Sequence, residues 1–178
     1  GDATQAAAKQ YPDVKFAIVD YAYEKAESNL KGLVFNTGEP SYMAGYAAAS
    51  LSKTGKVGTF GGAKIPSVTA FMTGYAQGVA AFNKAKGKDV KVLGWDDTKK
   101  DGSFIPGQNP FQDVAGGKQV ANNLVSQGAD ILLPVAGSAG EGALQVAQAS
   151  NGKVGSMWVD TDGCVSQAKY CAVIPTSV

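Results

Sequence analysis

Residues 56–82, KVGTFGGAKIPSVTAFMTGYAQGVAAF, join a short apolar run to a long helical pattern. The run at 56–60 is typical of a buried strand, and the double glycine after it marks a turn. Pro66 and Ser67 are helix start signals. Beyond them apolar residues recur at helical spacing, at Val68, Phe71, Met72, Tyr75, Val79 and Phe82. We therefore predict a strand, a turn and a helix whose stripe of Phe71, Tyr75 and Phe82 lies in the core.

The alternation of strand and helix continues on both sides of this segment. Further apolar runs predict strands at 16–19, 33–35, 90–93, 131–135 and 154–159, and the first of them has the composition of a strand buried on both faces. Helical patterns occupy 3–10, 41–49, 111–127 and 140–149. Such alternation requires crossover connections, so we predict an α/β fold with an open parallel sheet and helices on both faces.

One segment interrupts this alternation. Residues 96–110 are polar and rich in turn-forming residues, and they follow neither a helical nor a strand period. A typical connection takes roughly 2–6 residues, so this segment is unusually long. Loops of that length are commonly functional or mobile, and we expect the same of 96–110.

Composition and charge exclude several classes of function. The 178 residues include 16 basic and 15 acidic side chains, for a formal net charge of +1. They contain no basic cluster dense enough for a phosphate backbone, so we predict no nucleic acid partner. The chain has no histidine, which excludes Ser-His-Asp and Cys-His sites and the common zinc sites. A GxxxxGK[ST] phosphate loop is also missing. We predict no catalytic residue, no metal site and no cofactor.

Carboxylates follow two of the predicted strands. Asp20 comes directly after 16–19, and Asp160 comes directly after 154–159. Ligands of open α/β sheets bind beyond the carboxyl ends of the strands, where a carboxylate can accept two hydrogen bonds from the hydroxyls of a sugar ring. Asp20 and Asp160 are therefore candidate ligand-binding residues. The alternative is that each one caps the helix or turn that follows it.

Phe111 and Gly137 are further candidates for ligand binding. Phe111 ends the polar segment just before a predicted helix, so its ring either projects into a crevice or anchors the loop against the core. In a crevice it would offer a flat surface to a base or a sugar. Gly137 begins GSAGEG, 137–142, between a strand and a helix. Backbone N–H groups there can reach a polar ligand, although a plain strand-to-helix turn accounts for the same residues.

The two cysteines, Cys164 and Cys171, are separated by six residues. This spacing is too wide for a CxxC redox motif, and without histidine the chain has too few soft ligands for zinc. A structural disulfide that closes a loop is predicted, which implies an oxidising compartment. The alternative is two unrelated thiols, one of them buried.

A series of motifs runs in order along nearly the whole chain. They are YMAGYAAA (42–49), SKTGKVG (52–58), GG (61–62) with Pro66, FMTGYAQG (71–78), FQD (111–113) with GGK (116–118), QGADI (127–131) with AG (136–137) and Gly140, and VDTD (159–162). In this order and spacing they resemble the basic membrane lipoprotein family, the nucleoside-binding receptors of ABC importers.

The resemblance implies a two-lobed periplasmic-binding-protein fold of the first type. Such a receptor closes on a nucleoside between its lobes and delivers it to a membrane permease. By position, Phe111 would stack on the base, and Asp160 would hold ribose hydroxyls. Asp20 would contact the ligand from the first lobe, and Gly137 would let the backbone approach it.

The resemblance also implies how the chain is organised. Residues 1–35 would be part of the first lobe, 36–172 the second lobe, and 173–178 a hinge strand that returns to the first. Relative to the family, the chain is incomplete at both ends. The receptor would be extracytoplasmic, at the cell surface or in the periplasm. Its membrane contact would be limited to a lipid anchor of the full-length precursor that is absent from this chain.

Two other functions are compatible with these residues. A receptor of this fold can bind another small solute, such as a sugar or a signalling molecule, because the pocket rather than the fold sets the ligand. A flavodoxin-like enzyme is the less favoured alternative, because the chain lacks histidine and a phosphate loop.

Overall fold

A computed structural model describes residues 1–178, which separate into two units, Gly1–Asn36 and Thr37–Val178. In chain order, the first unit contains helix α1 (Asp2–Gln10) and strands β1 (Phe16–Val19) and β2 (Leu30–Leu33). The two strands pair in parallel. The assignment of the two units to the lobes of a clamshell remains a prediction.

The second unit is built on a parallel sheet. Its elements are, in chain order, α2 (Gly38–Leu51), β3 (Lys56–Gly61), α3 (Pro66–Lys86), β4 (Lys91–Leu93), β5 (Trp95–Asp96), β6 (Asp101–Gly102), α4 (Val114–Ser126), β7 (Ile131–Val135), a 3-10 turn (Gly137–Gly140), α5 (Glu141–Ala149), β8 (Gly155–Ser156), α6 (Gly163–Ser166) and a second 3-10 turn (Ala168–Val173). Four strands form the sheet in the order β4-β3-β7-β8, and β5 and β6 form a separate antiparallel hairpin. The predicted α/β fold is confirmed.

Two layers of helices cover the two faces of this sheet. Along β7, Ile131, Leu133 and Val135 pack in the cluster that contains the buried residues of α2 and α3. Leu132 packs in the cluster that contains those of α4 and α5. All five residues of β7 are buried, because side chains alternate between two faces that are both covered. This explains the continuous apolar run in the sequence.

Helix α3 is the helix predicted with the clearest period, and its apolar stripe is confirmed as core. Phe71 and Tyr75 are buried, and the half-buried Phe82 packs against the same cluster. Burial raises the pKa of the Tyr75 hydroxyl, which donates to the carbonyl of Ile131 at 3.4 Å. None of the helices in the structure combines the length and the apolar character that a membrane crossing needs.

Two predictions for the first unit are wrong. β1 is not buried on both faces, because its residues alternate between half-buried and exposed, so that one face is open. β2 covers Leu30–Leu33 rather than 33–35. Leu33 pairs with Val19, the last residue of β1, so Val34 and the exposed Phe35 extend past the end of their partner strand.

Two element boundaries in the second unit also differ from prediction. Helix α4 begins at Val114 rather than at 111, because the Asp113 carboxylate accepts the Gly116 N–H at 2.8 Å and caps the helix. The strand predicted at 154–159 has a regular ladder only over β8. Leu132 pairs with Ser156. The next residue of β7 that would have to donate a hydrogen bond to this segment is Pro134, which has no N–H. From Trp158 onward the segment hydrogen-bonds instead to residues 176–178.

The segment 96–110 is not wholly irregular, which corrects the sequence prediction. Its first half contributes to the β5–β6 hairpin, in which Trp95 pairs with Gly102. Two-residue strands are too short to produce a period in the sequence. The following residues run beside β3, where the Gly61 N–H donates to Ser103 and the Ile105 N–H donates back to Gly61.

The buried carboxylate of Asp130 joins two turns at the amino end of the sheet. Its Oδ1 accepts the Ser52 hydroxyl at 2.7 Å, and its Oδ2 accepts the N–H groups of Lys53 and Thr54 at 2.6 and 2.9 Å. Asp130 is only 5% exposed, so water cannot readily replace these bonds. The carboxylate therefore fixes the connection between α2 and β3.

Replacing Asp130 by alanine should lower the free energy of unfolding by about 2 kcal/mol, because three hydrogen bonds to a buried charged acceptor are lost. Urea denaturation measures this loss. Asp89→Ala is the matched control, since the Asp89 carboxylate is exposed and pairs only with Lys91; its effect should stay within about 0.5 kcal/mol. Equal stability of the two variants would contradict this role of Asp130.

Candidate functional site

The carboxyl ends of the parallel strands converge on one edge of the sheet, and Phe111 lies there. Gly62 follows β3, and its N–H donates to the carbonyl of Val135 at the end of β7. A Cβ built on Gly62 would lie 2.6 Å from Cδ1 of the Phe111 ring, so the ring packs directly on the glycine backbone. Gly137 follows β7 with a φ of 53°. A Cβ built on Gly137 would lie 3.7 Å from Cβ of Phe111. The structure thus brings Phe111, Gly62 and Gly137 together.

Phe111 has the anchoring placement, one of the two that the sequence left open. Its carbonyl accepts the Ala139 N–H at 3.0 Å, and its half-buried ring packs against the apolar cluster beneath α2 and α3. It therefore anchors the end of the 96–110 segment. The same ring stands at the carboxyl edge of the sheet and is only partly covered.

Asp160 and Asp20 share an unusual backbone. Their φ angles are 70° and 58°, in the left-handed region that few residues other than glycine adopt. The Asp160 N–H donates to the carbonyl of Val178 at 2.8 Å, and the Asp20 N–H donates to that of Leu33 at 2.8 Å. Each aspartate thus leaves its strand with the same turn. Backbone strain of this kind concentrates at functional sites.

The helix that follows Asp160 is capped by a neighbour. The Asp162 carboxylate accepts the Cys164 N–H at 2.8 Å and caps α6. Asp160 lines a groove of about 590 Å³. Thr161, Thr176 and Ser177 also line it, so the residues around this groove include three that carry hydroxyl groups. Asp20 lies in the first unit, at the end of β1.

The β5–β6 hairpin carries several ion pairs, one of them with Lys64, which follows β3. Lys64 pairs with Asp101 at 3.0 Å, and this hydrogen bond lowers the pKa of the Asp101 carboxyl. Two further pairs, Lys99 with Asp96 and Lys100 with Asp97, lie within the turn. These exposed pairs stabilise the turn only slightly, and a functional role for the hairpin remains a prediction.

One residue of this edge, Gly62, was not among the candidates predicted from the sequence. Gly62 was interpreted as part of a turn, although its backbone is the surface on which the Phe111 ring packs. The signal was present in the sequence, because a glycine directly after a strand often marks a close approach. What the sequence lacked was the identity of the approaching group, which lies 49 positions further along the chain.

The predicted disulfide is present, since Cys164 and Cys171 are bonded to each other. The structure gathers no group of three or more carboxylate or thiolate ligands that would hold a metal ion.

Comparisons with known proteins identify relatives of this chain. The family model described as "ABC transporter substrate-binding protein PnrA-like" matches residues 1–104 and 107–178. Basic membrane protein A of Borreliella burgdorferi is 38% identical over 149 residues, which cover 83% of this chain and 40% of that protein. The ABC transporter nucleoside-binding protein BmpA of Lactococcus lactis is 37% identical over 150 residues, 84% of this chain and 38% of that protein. The chain therefore spans about two fifths of the length of these relatives.

A solved structure has the same fold. A solute-binding protein of an ABC transporter system from Aeropyrum pernix superposes with a TM-score of 0.80 and 29% identity, over 99% of this chain and 47% of that one. The similarity extends through both units of the present chain and confirms the periplasmic-binding-protein class that the motifs predicted.

Proposed function

The chain belongs to the PnrA-like family of ABC transporter substrate-binding proteins, and from this premise we propose that it binds a nucleoside and delivers it to an ABC-type permease. Phe111 stacks on the base, Asp160 accepts hydrogen bonds from the ribose hydroxyls, and Gly137 lets the backbone approach the ligand. Asp20 is proposed as a further ligand contact of the first unit. Binding proceeds without catalysis.

The observation that carries this proposal is the placement of the Phe111 ring. It packs on Gly62 beside Gly137, beyond the carboxyl ends of two neighbouring strands, where ligands of open α/β sheets bind. An aromatic ring there can stack on a nucleoside, because every base has a flat face. The name of the Lactococcus lactis relative, a nucleoside-binding protein, supports the same ligand class.

The cellular setting is part of the proposal. We place the receptor outside the cytoplasm, at the cell surface or in the periplasm, with a lipid anchor attaching the full-length protein to the membrane. The Cys164–Cys171 disulfide supports this location, because such bonds persist in oxidising compartments. Both its cysteines are exposed, where a reducing cytosol would reach them.

Titration of the isotope-labelled chain with adenosine, guanosine and inosine, followed by NMR, tests the ligand class. We expect the amide signals of Gly62, Gly137 and Asp160 to shift together and to saturate. Ribose alone should perturb Asp160 without Gly62, since it has no ring to stack on Phe111. Shifts at Gly62 and Asp160 with a free sugar and none with any nucleoside would favour a sugar receptor. Turnover of the nucleoside would indicate an enzyme.

Replacing Phe111 by alanine should weaken nucleoside binding by roughly 1–3 kcal/mol, the scale of aromatic stacking on a base. The same NMR titration measures the change. Tyr11→Ala is the control, because it removes an exposed aromatic ring from the residue that follows α1 and should leave the affinity unchanged. A Phe111 variant that binds as tightly as the wild type would show that no base stacks there.

A further inference from the structure

The loop that follows Asp160 is closed by the disulfide. Cys164 lies in the four-residue helix α6, and Cys171 lies in the second 3-10 turn, Ala168–Val173. Cys164 also lines the groove that contains Asp160. The bond therefore sits within the structure that surrounds this aspartate.

Hydrogen bonds connect α6 and its cap to both sides of Asp160. The Trp158 indole N–H donates to Oγ1 of Thr161 at 3.1 Å, and this oxygen lies 2.8 Å from the Ser166 hydroxyl. The Gly163 N–H donates to the Ser177 hydroxyl at 2.9 Å. The residues before and after Asp160, and the adjacent 176–178 segment, are thus held by α6. A left-handed aspartate persists only when its surroundings hold it in place.

The 3-10 turn is attached both to an apolar cluster and to α5. Tyr170 is 5% exposed and packs with Leu144 and Trp158, and its hydroxyl donates to Glu141 of α5 at 3.1 Å. The Lys169 ammonium pairs with the same carboxylate. In contrast, a helix of four residues is too short to be stable by itself. The main chain joins the turn to this short helix through Gln167 alone, and the disulfide adds a second covalent link between them.

We propose that Cys164 and Cys171 are positioning residues for ligand binding. Their disulfide transmits the anchorage of Tyr170 to α6 and thereby fixes the backbone of Asp160 in its left-handed conformation. The inference rests on the proposed function in one respect, the contact of Asp160 with the ligand. The fixing of the backbone itself is a property of the unliganded chain.

Hydrogen exchange of the two indole N–H groups tests this in the chain without ligand. The chain contains two tryptophans. The Trp158 indole N–H is hydrogen-bonded to Thr161, close to Asp160. The Trp95 indole N–H is buried without a hydrogen-bond partner. Trp95 follows β4, at the other edge of the four-stranded sheet from β8. In Cys164→Ser/Cys171→Ser we expect exchange of the Trp158 indole and of the Asp160 amide to accelerate by at least about tenfold, given the usual stabilisation by a closed loop. The Trp95 indole should keep its rate.

The outcomes separate positioning from general stability. Unchanged exchange at Trp158 and Asp160 overturns the proposal, and so does equal acceleration at Trp95, which would report only a less stable fold. Val165→Ser is the matched control, because Val165 is 78% exposed in the same loop and its replacement leaves the disulfide intact. If the double variant does not fold, a phosphine reductant applied to the folded wild type opens the same exposed bond. The phosphine becomes its oxide, and two thiols form.

Adenosine titration of the same double variant then tests the functional link. The affinity for adenosine should fall by about tenfold, because the Asp160 carboxylate is no longer held in place for its hydrogen bonds to the ligand. Faster exchange at Asp160 with unchanged affinity would overturn the role in binding. A wild-type chain that binds no nucleoside would refute the proposed function, while the exchange measurements would still decide whether the disulfide fixes Asp160.

Discussion

Replacing Gly78 by alanine is expected to lower the free energy of unfolding by about 3 kcal/mol or more, at the upper end for overpacked cores. A Cβ on Gly78 would lie 1.9 Å from the carbonyl oxygen of Tyr42, in the backbone of α2. A backbone atom cannot rotate away as a side chain can. The whole of α2 or α3 would have to shift, and both helices are packed against the sheet.

Gly45 shows that this close approach is shared by both helices. A Cβ on Gly45 of α2 would lie 2.0 Å from the carbonyl oxygen of Tyr75 in α3. The control is Gly38→Ala, also in α2, where the nearest atom to the added Cβ is 3.9 Å away. That variant should keep its stability or gain a few tenths of a kcal/mol from alanine's helix propensity. Urea denaturation compares them, and two variants of equal stability would refute the close-packing argument.

Replacing Asp160 by alanine should weaken nucleoside binding by about 3 kcal/mol, or more than 100-fold, since two hydrogen bonds to a charged acceptor are lost. This is the largest effect that we expect on binding. The NMR titration with adenosine measures it. Asp89→Ala removes an exposed carboxylate before β4, at the amino end of the sheet, and should leave the affinity unchanged.

A second substitution separates the carboxylate from its backbone. Asparagine tolerates the left-handed region better than most residues, so Asp160→Asn preserves the turn and one acceptor oxygen. Its affinity should fall by only about tenfold, the scale of one such bond. If alanine and asparagine reduce affinity equally and only slightly, the ribose does not contact this side chain.

The longer elements of the second unit could be predicted because each one carries its own period. The helix that became α3 repeats apolar residues along one stripe, and β7 is apolar throughout because both its faces are covered. The first unit was predicted less well. The apolar run of β1 suggested burial on both faces, but burial depends on which elements cover those faces, and alternate residues of β1 are exposed.

The candidate site was predictable in its residue types and not in its geometry. Asp20 and Asp160 were identified because they end apolar runs, and the structure adds that both turn through the same left-handed conformation. Phe111 was identified at the end of an aperiodic segment. Its packing on Gly62 depends on how the 96–110 segment runs beside β3, which no local pattern records.

By itself the sequence determined the strand and helix alternation, the open parallel sheet, the pairing of its two cysteines and the motifs of a substrate-binding family. These follow from residue type and from spacings within a few turns of chain. Only the tertiary structure decided that Phe111 meets Gly62, that Gly78 meets the backbone of Tyr42, and that Cys164 lines the same groove as Asp160. Such contacts join residues far apart in the chain, and they arise only once the packing of helices on the sheet has set which backbones approach each other.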